Sequence, residues 1–162
     1  MTTQQIEQGK HILKMLECLA GYTEEEILRD HVKTLDEIDE AFLAFRFKMT
    51  TEELHHHLSE NKMYNNLTLQ TLKHGLIKNR TLNGYGVSVT RCRTALKSAR
   101  PDGWMFSMHS YLPTGELKFI ALNSTNSQND IITPFLPTEE ISELHAITQA
   151  RIWDIENGGR ND

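Results

Sequence analysis

Cysteine and long apolar runs are both scarce in this chain, and each scarcity closes off a class of protein. The two cysteines, Cys18 and Cys92, lie far apart and outside any Cys-x-x-Cys spacing, so a disulfide framework or a cysteine zinc site has no basis. Both are expected to be free thiols, with Cys18 packed inside a helix. No apolar run approaches the roughly 18 residues needed to cross a bilayer. The opening MTTQQIEQGKHIL lacks the basic flank, apolar block and small-residue cleavage site of a secretory signal. A cytoplasmic location with no membrane contact is expected. Asn66-Leu-Thr, Asn79-Arg-Thr and Asn123-Ser-Thr match the glycosylation pattern and are read as chance in a chain off the secretory route.

Catalytic signatures are missing too. There is no Gly-x-Ser-x-Gly, no phosphate-binding Gly-x4-Gly-Lys-Ser/Thr, no Gly-x-Gly-x-x-Gly and no His-Glu-x-x-His. His55, His56 and His57 are consecutive, and consecutive helical residues point about 100° apart, so three adjacent imidazoles do not converge on one ion. The acidic runs Glu24-Glu25-Glu26 and Asp36-Glu37 are read as helix starts, where carboxylates favour the positive end of the helix dipole. The expectation is a protein without enzymatic activity, cofactor or metal.

What the chain does have is an uneven charge. Residues 1–47 hold 5 Lys/Arg against 10 Asp/Glu, residues 48–100 hold 9 against 3, and residues 101–162 hold 3 against 9. A net charge of −5 thus conceals a cationic middle between two acidic flanks, and a cationic stretch on a small helical module is suited to phosphate. With 162 residues and 38% hydrophobic content, a core without disulfides is attainable.

Periodicity supplies the elements. Ile6, Gly9, Ile12, Leu13, Leu16, Leu19 and Ala20 form one stripe of a helix over 4–20, ended by Gly21. Thr23 with Glu26, and Thr34 with Glu37, have capping-box spacing, which predicts helices near 24–32 and 35–47, the second with Leu35, Ile38, Phe42 and Phe45 as its core face. Thr50 with Glu53 repeats the signal before a short helix carrying Leu54 and Leu58. A second helix through Leu69 and Leu72 stops at Gly75, and Asn83-Gly84 marks a hairpin. Further on, Trp104–Leu112 and Glu116–Leu122 read as strands joined by Pro113-Thr114-Gly115. Residues 123–130 read as a polar loop. Thr138 opens a helix to about Asn157 whose stripe is Ile141, Leu144, Thr148, Ile152 and Ile155. The predicted fold is α+β, mainly helical, with three parts: N-terminal helices over 1–47, a central module over 48–100, and a C-terminal hairpin plus helix over 101–162.

Residues 50–91, from Thr51-Glu52-Glu53-Leu54 through Leu72-Lys73-His74-Gly75-Leu76-Ile77 to Asn83-Gly84-Tyr85 and Val87-Ser88-Val89-Thr90, resemble the winged helix-turn-helix of bacterial and phage transcription regulators of the IclR and MarR kind. Such a resemblance implies that the second helix of the pair enters the major groove of double-stranded DNA. Its outward residues would be Tyr64, Thr68 and Thr71, with Asn65 and Asn66 near the start, and Asn and Thr suit adenine and the thymine methyl. Lys62, Lys73, Lys78, Arg80, Arg91 and Arg93 would meet phosphates.

The resemblance implies a sequence-specific regulator, and the apolar stripes of helices 4–20 and 138–156 point to a homodimer whose interface takes in Ile141, Leu144, Ile152 and Ile155. The C-terminal third is to act as an effector or dimerisation region. Trp104, Phe106, Met108, Tyr111, Phe119 and Ile120 could line an effector pocket or pack the hairpin against helix 138–156, and Trp153, off the stripe, is a place for a partner to dock. The rival reading is a protein-binding adaptor or inhibitor that uses the winged-helix shape without DNA, motivated by the acidic flanks, which repel a duplex.

Overall fold

A computed structural model describes residues 2–59, 96–111, 113, 116–123 and 131–158. Its contacts divide the chain into two compact units: residues 1–24 with 99–162, and residues 25–98. The cut at 98/99 lies close to the boundary expected at 100, but residues 1–24 and 25–47, expected to form one part, fall in different units, because the first helix packs against the last one.

In the first unit, α1 (Thr2–Glu17) runs antiparallel to α5 (Glu139–Glu156), as the pairing of Glu17 with His145 and the placement of Lys10 beside residues 149–156 require. The α1 stripe is buried at Ile12, Leu16 and Leu19. Each such side chain removed from water contributes about 1.5–3 kcal/mol. The helix ends three residues sooner than its periodicity predicts, in turns closed by Leu19 N to Leu16 O (3.1 Å) and Ala20 N to Glu17 O (3.1 Å). Cys18 lies just past that end and is exposed, so it is not a helix-core thiol.

The sheet has the order β1-β2-β3. Strand β1 (Trp104–Tyr111) pairs antiparallel with β2 (Glu116–Asn123) from Trp104↔Asn123 to Tyr111↔Glu116. Gly103, at φ +85°, turns the chain into β1 in a conformation that side chains resist. Strand β3 (Ile131–Ile132) was not foreseen from sequence; it pairs with Ile120 and Ala121 of β2. One sheet face, with Trp104, Phe106, Ala121 and Ile131, packs toward Ala150 and Trp153 of α5. On the other face Met105 and Ile132 are exposed.

Helix α5 therefore lies between α1 and the sheet. Thr138 caps it in extended conformation, its Oγ1 accepting from Ile141 N at 3.1 Å. At the other end the Asn157 side chain donates to Trp153 O at 2.8 Å, and Gly158 takes a left-handed φ of 62°. Every residue from 140 to 148 is buried. A one-sided stripe was the expectation; two-sided burial is what the chain does.

In the second unit, α2 (Glu24–Asp30) and α3 (Val32–Arg46) are separated by His31 alone. Helix α3 begins at Val32 with no side-chain cap, so Thr34 sits inside it and the expected Thr34–Glu37 box does not open it. Leu35, Ile38, Phe42 and Phe45 are buried as their spacing predicts. Helix α3 ends with Met49 N bonded to Ala44 O (3.0 Å) and Lys48 N to Phe45 O (3.3 Å), the Schellman pattern, with Lys48 at φ 59° where glycine is usual. Helix α4 (Thr51–Ser59) starts in a reciprocal capping box: Thr50 N donates to Glu53 Oε1 at 3.0 Å and Glu53 N to Thr50 Oγ1 at 3.1 Å. Leu54 docks α4 on Leu43 and Ala44 of α3.

Candidate functional site

The polar chemistry of the first unit gathers on α5. Burying a charged or polar side chain is costly unless hydrogen bonds replace water, so the partners of these residues define what the helix grips. Arg151 directs both Nε (2.9 Å) and Nη2 (2.7 Å) at the carbonyl of Ala99. One residue on, Arg100 gives Nε (2.8 Å) and Nη2 (2.7 Å) to Oε2 of the buried Glu143. Its guanidinium also stacks 5.0 Å from the Phe106 ring centre. Residues 99 and 100 are where the chain enters this unit from residue 98, and two arginine contacts fasten that entry to the central helix.

A second cluster faces α1. His145 is 2% exposed; its Nε2 lies 2.8 Å from Glu17 Oε2 and its Nδ1 2.6 Å from Gln149 Nε2. With the Gln149 amide donating to Nδ1, the ring carries its proton on Nε2 and donates to Glu17. Burial pushes the His145 imidazole below its ordinary value, while the hydrogen bond and charge of Glu17 offset part of that shift. Both ring nitrogens are engaged, so His145 orients Gln149 and ties α5 to α1 rather than serving as a free base.

Gln149 also lines a groove of about 250 Å³ on this unit. Leu13, Ile131, Ile152 and Trp153 form its apolar wall, and Lys10, Gln149 and Glu156 its polar margin. Trp153 is fixed edge-on to Trp104, the ring centres 5.7 Å apart and the planes at 80°. Trp104 in turn donates its indole N–H to the buried carboxylate of Asp154, 3.2 Å from each oxygen.

Several residues singled out from sequence have other surroundings. Ile141, Leu144 and Ile152 are buried within one chain and Ile155 is half-buried, so the first three belong to the core of the unit and not to an open face. Trp104 packs between sheet and helix, and Met108 is exposed. The groove lies at α1, α5 and β3; Trp104, Phe106 and Met108, considered for an effector pocket, do not line it, although Trp104 braces its Trp153. Exposed His55 pairs with Glu40 at 3.0 Å. Lys62, Tyr64, Asn65, Asn66, Thr68, Thr71, Lys73, Lys78, Arg80, Arg91 and Arg93 lie outside the described residues, as do the Asn83-Gly84 hairpin and Cys92. Among the described residues no group of three or more His, Cys, Asp or Glu is placed to hold a metal ion, and no helix is long and apolar enough to cross a membrane.

Sequence reasoning passed over His145, Gln149, Arg151 and Glu143. One signal was present: apolar residues at 141, 144, 146, 147, 150, 152 and 155 spread over more of the helix than one contact face needs. Compared with protein-family models, with curated proteins and with solved structures, the chain matches none.

Proposed function

We propose that this protein is a sequence-specific DNA-binding regulator that meets duplex DNA through a winged helix-turn-helix over residues 50–91 and acts as a homodimer. The observation that carries the reading is the excess of nine Lys/Arg over three Asp/Glu in residues 48–100. That stretch opens with a helix of the kind the motif requires: α4 is capped by Thr50 and Glu53 and docked on α3 by Leu54. In this reading Lys62, Lys73, Lys78, Arg80, Arg91 and Arg93 contact phosphates, and Tyr64, Asn65, Asn66, Thr68 and Thr71 face bases. A dimer would use surfaces other than Ile141, Leu144 and Ile152, which one chain already buries.

The adaptor reading draws on a different observation. Residues 25–46, in the same unit as the basic stretch, carry seven Asp/Glu against three Lys/Arg, and over residues 25–98 the charges nearly balance at eleven Lys/Arg to ten Asp/Glu. Binding to a pool of genomic fragments at several salt concentrations separates the two. Engagement of about six phosphates gives log K a slope near −5 against log salt. A flat salt response, or no binding at low salt, rejects the DNA reading and favours the adaptor.

A further inference from the structure

The groove between α1, α5 and β3 has two opposite charges on its margin, Lys10 from α1 and Glu156 from the last turn of α5. Both are exposed, and no ion pair joins either of them to another described residue. Between them the wall is apolar, with Leu13, Ile152 and the ring of Trp153. Two features make this wall rigid. Trp153 is braced edge-on by Trp104, whose own indole is held by Asp154. The Gln149 amide is committed through Nε2 to the buried His145, which sets the direction of its carbonyl oxygen. Braced groups lose little freedom on binding, so their contacts count toward affinity.

From this arrangement we infer that the groove is a binding site for a small zwitterion with an apolar or aromatic body, the chemistry of a large apolar α-amino acid. The carboxylate of such a ligand faces Lys10, its ammonium faces Glu156 with the Gln149 carbonyl as a further acceptor, and its side chain lies on Trp153 and Ile152. A purely anionic ligand meets repulsion from Glu156 and a purely cationic one from Lys10, so charge of both signs is what the margin selects. The volume, about 250 Å³, admits a molecule of that size and little more. The inference concerns the first unit alone and stands apart from the DNA reading.

Titration of the 162-residue chain with L-phenylalanine, followed by calorimetry and by tryptophan fluorescence, tests it, since Trp153 is one of only two tryptophans. Contacts of this number give a Kd on the order of 1 mM. N-acetyl-L-phenylalanine, lacking the ammonium, and L-phenylalanine amide, lacking the carboxylate, should each bind about two- to five-fold more weakly, the range for exposed charge pairs. Glu156→Gln should erase the preference for the free amine and Lys10→Gln the preference for the free carboxylate. Both positions are exposed, so unchanged far-UV circular dichroism serves as the control for folding. Absence of saturation up to about ten times the expected Kd would overturn the inference. So would blocked analogues that bind as well as the parent, which would mean an apolar crevice without charge selection.

Discussion

Arg151 and Ala99 are joined by two hydrogen bonds to one carbonyl oxygen, from Nε at 2.9 Å and Nη2 at 2.7 Å, inside the first unit. The guanidinium is nearly buried, so its partner cannot be replaced by water without cost. Hydrogen bonds to a charged group are worth about 1.5–3 kcal/mol.

Arg151→Ala should therefore lower the unfolding free energy by about 2–3 kcal/mol, from lost bonds and lost stem packing together. Arg151→Lys should recover only part of this, because an ammonium is not a two-pronged donor. Urea denaturation measures both. A loss within about 0.5 kcal/mol for the alanine variant would show that the clamp contributes nothing beyond an ordinary surface contact.

The sign of the pH dependence follows from His145. Its folded pKa is lowered from 6.5, so between the folded value and 6.5 the unfolded chain holds more protons than the folded one. Stability is full above that window and falls as the pH drops through it. The melting temperature of the unmodified protein should decline between about pH 7 and pH 5 more steeply than that of His145→Gln. Parallel curves for the two proteins would remove His145 from the explanation.

Lys48 occupies the left-handed position that closes α3, at φ 59°. Lys48→Gly relieves a conformation that costs a side chain about 1–2 kcal/mol, against the extra backbone freedom that glycine brings to the unfolded chain. A net gain of about 0.5–1 kcal/mol in the stability of the second unit is expected. A loss on chemical denaturation would place the Lys48 stem in packing that offsets the strain.

On the DNA reading, Arg80→Ala and Arg91→Ala should weaken binding to all sequences alike, whereas Tyr64→Ala and Thr68→Ala should change which sequence is preferred. Selection from a randomised duplex pool distinguishes the two patterns. If all four variants shifted affinity in the same way, the second helix of the motif would not be the one that reads bases.

The features legible in the sequence are those settled within a few residues. The Thr50 and Glu53 box, the Thr138 cap, and strand limits within a residue of Trp104–Tyr111 and Glu116–Asn123 all follow from local hydrogen bonding and turn chemistry. Thr34 and Glu37 had the same spacing as a true box, but the helix had already begun at Val32, because a lone His31 between two helices leaves no room for a separate start.

What escaped sequence reading depends on distant partners. Ile131 and Ile132 become a strand only because β2 offers an edge. Lys10 and Gln149 share a groove only because α1 crosses α5, and the polar residues of α5 are inside only because a sheet and a helix cover opposite sides. The same two-sided cover turned Ile141 and Leu144 from expected interface residues into core.

The division of the chain has a consequence for its synthesis. Residues 25–98 interrupt the first unit, so α1 leaves the ribosome with Ile12, Leu16 and Leu19 lacking the helix that will cover them. That helix begins about 120 residues after Leu19, and at about 5–20 residues per second the delay is roughly 6–24 s. The entropic cost of closing so long a loop grows only slowly with its length, so the pairing of α1 with α5 tolerates an insertion of this size.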